Sequence, residues 1–348
     1  MRVLITGHNG YIGSVMSPVL RAAGHEVVGL DTYYFEDCGV STNGDEPPSI
    51  RKDVRDITPA DLEGFDAVAH LAALCNDPLG DLNPDWTYDI NQTASFRLAK
   101  TAKEAGVRRF IYASSCSMYG AAGEELVKED APLRPLTPYA VSKVRAEEEI
   151  SSLASAEFSP VFMRNATAYG MSSRLRADVV LNNLICWAHT TGKVRIMSDG
   201  TPWRPIVHIE DISRAFAAVL VAPQQAIHNE AFNVGANEEN YQVRELAEIV
   251  RETVEGCEVE YAEQGGPDPR SYRVDFSKLT RALPGFKTIW NARLGAEELY
   301  AAVREANLTL EEFQNRKFTR LAQFRYLLGS GHLDETLRWR KANTTTHE

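Results

Sequence analysis

The most constraining feature of the chain is its opening stretch. A short β-branched run, Arg2 to Thr6, gives way to Gly7-His-Asn-Gly10-Tyr-Ile-Gly13 and then to an amphipathic stretch from about Tyr11 to Ala23. A strand that turns on glycines into a helix leaves few topologies open. Glycines lack a Cβ, so backbone N–H groups and a helix N-terminus can come close to a pyrophosphate. Gly24 closes the helix pattern, and His25 to Leu30 is a second buried-strand run that ends at Asp31. A carboxylate there can accept hydrogen bonds from both ribose hydroxyls of an adenosine, and it repels the extra phosphate of NADP. The segment is therefore read as a site for NAD, held by Gly7, Asn9, Gly10, Tyr11, Ile12, Gly13 and Asp31.

The alternation continues. Strand patterns at Asp66–Leu71, Arg109–Ala113 and Pro160–Arg164 interleave with helix patterns at about Pro84–Ala105 and Tyr139–Leu153. Strands spaced by helices of this length imply βαβ units. The expected fold class is α/β, a Rossmann-type doubly wound parallel sheet. After about Tyr169 the rhythm changes to helix patterns at about Asp178–Thr191, Asp211–Val221, Val243–Glu255, Ala296–Glu305 and Phe318–Leu328. The expected organisation is a dinucleotide-binding domain over 1–170, with 205–235 returning to it. Residues 171–204 and 236–340 form a smaller, mostly helical C-terminal substrate lobe, and 341–348 a frayed tail. Glu36 to Pro48, rich in Gly, Asp, Glu, Pro and Ser, reads as a surface loop.

Composition narrows the partners. Lys plus Arg is 37 against 48 Asp plus Glu, a net charge of −11. That excludes a general binder of nucleic acid or anionic membranes, which needs a basic surface, yet permits a local basic pocket. The five cysteines, at 38, 75, 116, 186 and 257, are scattered, with no zinc spacing. They are expected to be free thiols in a reducing cytoplasm, with no metal centre. No basic leader precedes the first strand, and no stretch approaches the ~20 apolar residues of a membrane helix.

Chemistry concentrates in the middle of the chain. Tyr139-Ala-Val-Ser-Lys143 puts a phenol and an ammonium one turn apart on one helix face. A free phenol, with a pKa of about 10, is a poor base near neutrality, and an adjacent cation favours its phenolate. Ser115, at the end of the preceding strand, can bond the same substrate oxygen as Tyr139. Asn91 can hold a backbone carbonyl or ordered water in a relay to Lys143. Asp53-Val54 can read and pack an adenine edge. His70-Leu71-Ala72-Ala73 ends a strand in small residues that let a cofactor lie across the strand ends, at the switch point where such sheets bind ligands.

These residues make the chain resemble the extended short-chain dehydrogenase/reductase superfamily, in its nucleotide-sugar epimerase/dehydratase branch. The matching segments are GHNGYIG, Asp31, DVRD at 53–56, HLAA at 70–73, Asn91, SSCSMYG at 114–120, YAVSK at 139–143, RPIVHIEDI at 204–212 and FNVG at 232–235. The resemblance implies that Ser115, Tyr139 and Lys143 are the catalytic trio, with Tyr139 beside the nicotinamide and Lys143 on its ribose. It implies a cycle in which a sugar is oxidised at C4, turns over as a keto-sugar and is reduced on its other face. Relatives acting as 4,6-dehydratases carry an Asp-Glu pair just after the catalytic Ser or Thr, and decarboxylating relatives a Glu at the second position. Here those positions are Cys116 and Ser117, which favours an epimerase. A 4-keto-sugar reductase is the alternative, and a dehydratase or decarboxylase a more distant one. Cys116 is either an acid/base thiol or a small buried one.

The same resemblance places substrate contacts at Cys75, Ser117, Asn165, Thr167, Asn182, Arg204 and Arg270. Cys75 stands where UDP-hexose epimerases often carry Lys. Thr167 stands at a usual Asn place, for which Asn165, two residues earlier, can substitute. Arg204 and Arg270 suit a diphosphate because each presents a forked set of donors. Asn182 and Asn183 lie where relatives hold the nucleotide. His208 is expected to be structural. The segment 318–340 exceeds the common core and is left as a cap on the pocket or a joint to a neighbour. A homodimer through helices near 84–105 and 137–153 is implied by the resemblance alone.

Overall fold

A computed structural model describes residues 1–40, 46–75, 80, 82–261 and 270–340. The expected tail at 341–348 and part of the expected 36–48 loop lie outside the described residues.

Seven strands form the central sheet. In chain order they are β1 (Arg2–Thr6), β2 (Glu26–Asp31), β3 (Ser49–Arg51), β4 (Ala67–His70), β5 (Arg109–Ser115), β7 (Ser159–Asn165) and β11 (Glu230–Val234), with β6 (Ala121–Val127), β8 (Thr167–Tyr169), β9 (Lys193–Ile196) and β10 (Trp203–His208) lying outside it. The spatial order is β3-β2-β1-β4-β5-β7-β11 and every pairing is parallel. Strand order reverses between β1 and β4, so a crevice opens beyond Thr6 and His70, which are register partners. Both faces of the sheet are covered, so its strands read as near-continuous apolar runs.

The two-residue period sorts the side chains. Val3, Ile5, Ala67, Ala69, Ile111 and Met163 pack with α1 (Gly13–Ala22) and with Ile212, Phe216 and Val219 further along the chain. Leu4, Val68, Phe110 and Tyr112 pack on the other face with Leu98 of α2 (Ala94–Glu104) and Ile150 of α3 (Pro138–Ser151). The stretch 205–235 supplies both β11 and the helix carrying Ile212 to this sheet.

A second core joins α4 (Val180–Thr191), which follows β8, with later helices. After β10 come α5 (Ile209–Val221), β12 (Asn240–Gln242), α6 (Val243–Thr253), β13 (Glu258–Tyr261), β14 (Ser271–Val274) and α7 (Ala292–Glu305). Leu181, Leu184 and Ile185 of α4 meet Leu246 and Val250 of α6 and Leu299 and Val303 of α7. The last helix, α8 (Arg320–Gly329), does not join this core. Its Phe324 and Leu327, with Leu333 and Leu337, pack on Tyr34, Leu74 and Ile90 of the N-terminal half.

Two elements differ from the sequence patterns. The helix expected over 84–105 is a short turn at Pro84–Thr87, a π-helical stretch at Tyr88–Thr93 and then α2. A π turn admits one more residue per turn than apolar periodicity implies, and it carries Asn91. The helix expected from Asp178 starts at Val180, because Asp178 is drawn to Arg176 instead. Among the described residues, no helix is long and apolar enough to cross a membrane, and no cluster of His, Cys, Asp or Glu suits a metal.

Candidate active site

One cleft of about 860 Å³ gathers almost every residue singled out above. Its floor is the glycine turn. Gly7 has φ of +77°, and a Cβ there would lie 2.8 Å from the Ala72 nitrogen. A Cβ on Gly13 would lie 2.2 Å from the Gly7 carbonyl oxygen. Both positions are therefore closed to any side chain, while the turn stays open to the cleft. Asp31 ends β2 beside it, its carboxylate accepting from the Asn9 N–H at 3.0 Å and the Tyr33 N–H at 2.7 Å. Burial raises the Asp31 pKa, and those N–H groups act against the rise. Val54, Leu71, Ala72 and Ala73 line the cleft as expected. Asp53 does too, but its carboxylate is occupied by Arg55, whose Nη2 donates at 2.7 Å.

The end of the cleft that carries Ser115, Tyr139 and Lys143 is built by local sequence. Thr137 caps α3, accepting from the Ala140 N–H, and Pro138 opens the helix. Tyr139 is thereby in the first turn and Lys143 one turn later. Lys143 is 3% exposed. Its Nζ donates to the Ala113 carbonyl at 2.7 Å, sits 4.5 Å from the Tyr112 ring centre and lies 5.8 Å from that of Tyr139. Burial lowers its pKa to about 8, while the charge of Glu147 resists the fall. Ser115 ends β5 and caps the turn that follows, its Oγ accepting from the Ser117 N–H at 3.2 Å. Ser115, Ser117, Tyr139 and Lys143 all line the cleft.

The structure also brings Cys75, Asn165, Thr167, Arg204 and Arg270 to the cleft wall. Arg204 donates through Nη1 to the Arg270 carbonyl, which ties the two arginines together. The buried Ser117 Oγ and Asn165 Oδ1 have no hydrogen-bond partner. A closed glycine cradle, the Asp31 carboxylate beside it and unpartnered polar atoms in one cleft fit a bound dinucleotide beside a polar substrate.

Three expected residues are elsewhere. Asn91 is fully buried behind the cleft, clamping Leu74 by accepting from its N–H at 2.8 Å and donating to its carbonyl at 2.9 Å. Asn9 is turned to Arg174, whose Nε donates to its Oδ1 at 3.0 Å. Asn182 is fully buried, with Nδ2 donating to the Tyr11 hydroxyl at 2.9 Å and to the Arg176 carbonyl at 2.8 Å. Its neighbour Asn183 faces the cleft instead, because consecutive helical residues point about 100° apart. Cys116 is also buried away from the cleft. It donates to the Arg164 carbonyl at 3.0 Å, and burial raises its pKa. It is a packing thiol.

His208 is structural as expected, accepting from the Glu210 N–H at the start of α5 and stacking 4.0 Å from Trp290. Sequence reasoning missed Arg176 and Arg320, both of which line the cleft. Arg176 precedes Asp178 by two residues, a pairing signal that was legible. Arg320 had none, since only tertiary packing brings it here.

Comparison with known proteins agrees with this geometry. Residues 3–235 match the model of the NAD dependent epimerase/dehydratase family. The UDP-glucose 4-epimerase of Mycolicibacterium smegmatis is 31% identical over 258 residues, covering 71% of this chain and 80% of that protein. The dTDP-D-glucose 4,6-dehydratase of Mus musculus is 29% identical over 277 residues, covering 74% of this chain and 76% of that protein. Among solved structures, MoeE5 in complex with UDP-glucuronic acid and NAD has 29% identity and a TM-score of 0.77, covering 88% of this chain and 100% of that one. With a strand order, a glycine cradle and a Ser/Tyr/Lys set all in agreement, the chain belongs to the NAD-dependent epimerase/dehydratase family.

Proposed function

We propose that the protein is a 4-epimerase of a nucleotide-activated sugar. The observation that carries this is the catalytic end of the cleft, where Ser115, Ser117, Tyr139 and Lys143 converge and the two residues after Ser115 offer no carboxylate. A dehydratase must protonate a leaving hydroxyl and remove a carbon-bound proton, work suited to paired acids. Here Cys116 is buried and Ser117 has no acid function. What remains suits alcohol oxidation and its reversal.

Each residue has a role in that chemistry. Tyr139 takes the proton of the sugar 4-hydroxyl and returns it to the inverted alcohol. Lys143, fixed on the Ala113 carbonyl, supplies the cation that makes the phenolate accessible. Ser115 bonds the same oxygen and orients it. Arg204 and Arg270 face the diphosphate, and Asn183 lies where the nucleotide enters. Gly7, Gly10, Gly13 and Asp31 hold NAD, which when bound supplies a two-electron oxidant restored at the end of each cycle. The described cysteines are all free, which suits a reducing cytoplasm. The family resemblance favours a homodimer through α2 and α3.

The test is an NMR screen of the purified protein with UDP-glucose, UDP-galactose, UDP-glucuronic acid and dTDP-glucose. Inversion at C4 without added reductant is expected. Loss of water, loss of carbon dioxide or stoichiometric use of a reduced cofactor would overturn the assignment.

A further inference from the structure

Two buried guanidiniums stand in the cleft wall near one carboxylate, Asp178, which Arg176 bonds through its side chain and Arg320 only through its backbone N–H, at 3.4 Å. Arg176 Nε donates to Asp178 Oδ1 at 2.8 Å, and its Nη1 reaches Cys75 Sγ at 3.1 Å. Burial pushes the Asp178 pKa up, but the Arg176 charge outweighs it and leaves it lowered, so this pair is matched. Arg320 is not. Its Nη2 donates to the Arg174 carbonyl at 2.9 Å and its guanidinium lies 4.1 Å from the Phe35 ring centre. Its Nη1 is buried without a hydrogen-bond partner, in a residue only 3% exposed. Burial and then the Arg176 cation lower its pKa to about 10, which leaves it charged at neutral pH. A buried guanidinium with an unsatisfied donor is costly unless an anion completes it.

The position of Arg320 says which anion. It lines the same cleft as Gly7, Gly10 and Gly13. The Arg174 whose carbonyl it holds donates in turn to Asn9 inside the glycine turn. Phe35, over whose ring it lies, stands four residues after Asp31, the carboxylate at the end of β2. All of these connections lead to the dinucleotide half of the cleft, whereas Arg204 and Arg270 form a separate pair bonded to each other.

We infer that Arg320, delivered by the C-terminal segment, is a second clamp on the pyrophosphate of the bound dinucleotide, complementing the backbone N–H groups of the glycine turn. Residue 320 lies far beyond the 3–235 stretch matched to the family. The segment that carries it is pinned on both sides. Gln323 Nε2 donates to the Tyr34 carbonyl at 2.9 Å, Arg55 Nη1 to the Thr336 carbonyl at 2.7 Å and Trp339 Nε1 to the Thr32 carbonyl at 2.6 Å. The guanidinium is thus held in place before the ligand arrives, which lowers the ordering cost of binding. The inference rests on the dinucleotide assignment and not on the sugar chemistry.

The test is calorimetry on the full chain, freed of resident dinucleotide, with ADP-ribose, adenosine and UDP as ligands. Arg320→Gln should weaken ADP-ribose at least tenfold while adenosine and UDP change less than twofold, and Arg320→Lys should recover part of the loss. An unchanged ADP-ribose affinity, an equal loss for adenosine, or a loss confined to UDP would each overturn the inference. Should Arg320→Gln not fold, hydrogen exchange on the unaltered protein decides. Residues 318–329 should be protected by ADP-ribose and not by adenosine, and equal protection by both, or none by either, would refute the clamp.

Discussion

The two ends of the cleft are assembled in different ways. At the catalytic end, one helix and one neighbouring strand carry Tyr139, Lys143 and Ser115, and Lys143 is anchored to a carbonyl only thirty residues away. At the end that carries Asp31, proposed for the adenosine, the wall is closed by a segment roughly three hundred residues from the strand it covers, as in the Tyr34 hydroxyl donating to the Leu337 carbonyl. The first end is specified by local chain geometry. The second is specified by packing and ion pairing, with Arg338 reaching Asp53 at 3.3 Å and Arg55 bridging to the same strap. Chemistry that must place a proton acceptor on one atom is built from rigid, short-range parts. Retention of a cofactor can be delegated to a later part of the chain.

The sharpest way to break this contrast is to remove Tyr139, the acid/base group of the proposed reaction. Tyr139→Phe should lower kcat by about 10³- to 10⁴-fold. Dinucleotide content, read by chromatography of the denatured protein, should stay unchanged, because the phenol hydroxyl does not hold the adenosine end. A kcat within tenfold of the unaltered protein would remove Tyr139 from the proton step.

The opposite perturbation empties the packing under the strap. Phe324 is fully buried against Tyr34 and Phe35, at 5.3 Å from each ring centre. Phe324→Ala should cost about 3–5 kcal/mol of the strap's packing. The expected result is faster proteolysis after residue 318 and faster loss of dinucleotide on dilution, with kcat at saturating NAD changed less than threefold. A parallel fall in kcat and retention would show that the two ends are one cooperative unit.

This division also explains what the sequence could and could not disclose. Gly7 and Gly13 are legible because a Cβ at either would strike neighbouring backbone, and Tyr139 with Lys143 because the helix period puts them on one face. Asn182 and Asn183 show the limit of that logic. The motif identifies the pair, but the phase of α4 against β8 decides which one faces the cleft, and that phase is set by Leu181 and Ile185 in the core. Asn91 does hold a backbone carbonyl, that of Leu74, but the π turn that aims it there leaves no mark in apolar spacing. Arg320 was invisible because nothing near it in the chain announces a ligand.

Acidity adds a smaller and two-sided prediction. Lys143 must be charged to lower the phenol pKa, and burial holds its own pKa at about 8 instead of 10.5. Activity should therefore fall as pH rises past about 8, by about tenfold per unit at the limit. Stability should move the other way. Between that value and the ordinary lysine range the unfolded chain binds more protons than the folded one, so unfolding becomes harder as pH rises and the contribution is lost as pH falls through 8. Rate profiles and denaturant midpoints measured on the same buffers would separate the two slopes. A flat alkaline rate profile would mean that Lys143 keeps its proton and that the dinucleotide or substrate offsets its burial.

The smallest effect is expected at Cys116. It follows Ser115, the serine of the proposed reaction, in sequence, which makes an acid/base role attractive, but β5 ends there and the chain turns its side chain inward. The thiol is fully buried and donates to the Arg164 carbonyl, on the side away from Ser115 and Ser117, which line the cleft. Cys116→Ala should cost about 1 kcal/mol for the lost hydrogen bond, with a further small packing loss, and leave kcat within twofold. Denaturant unfolding and steady-state rates on one preparation check both halves. A tenfold drop in kcat with stability intact would bring the thiol back into the reaction and shift the boundary of the catalytic end to include the floor beneath Ser115.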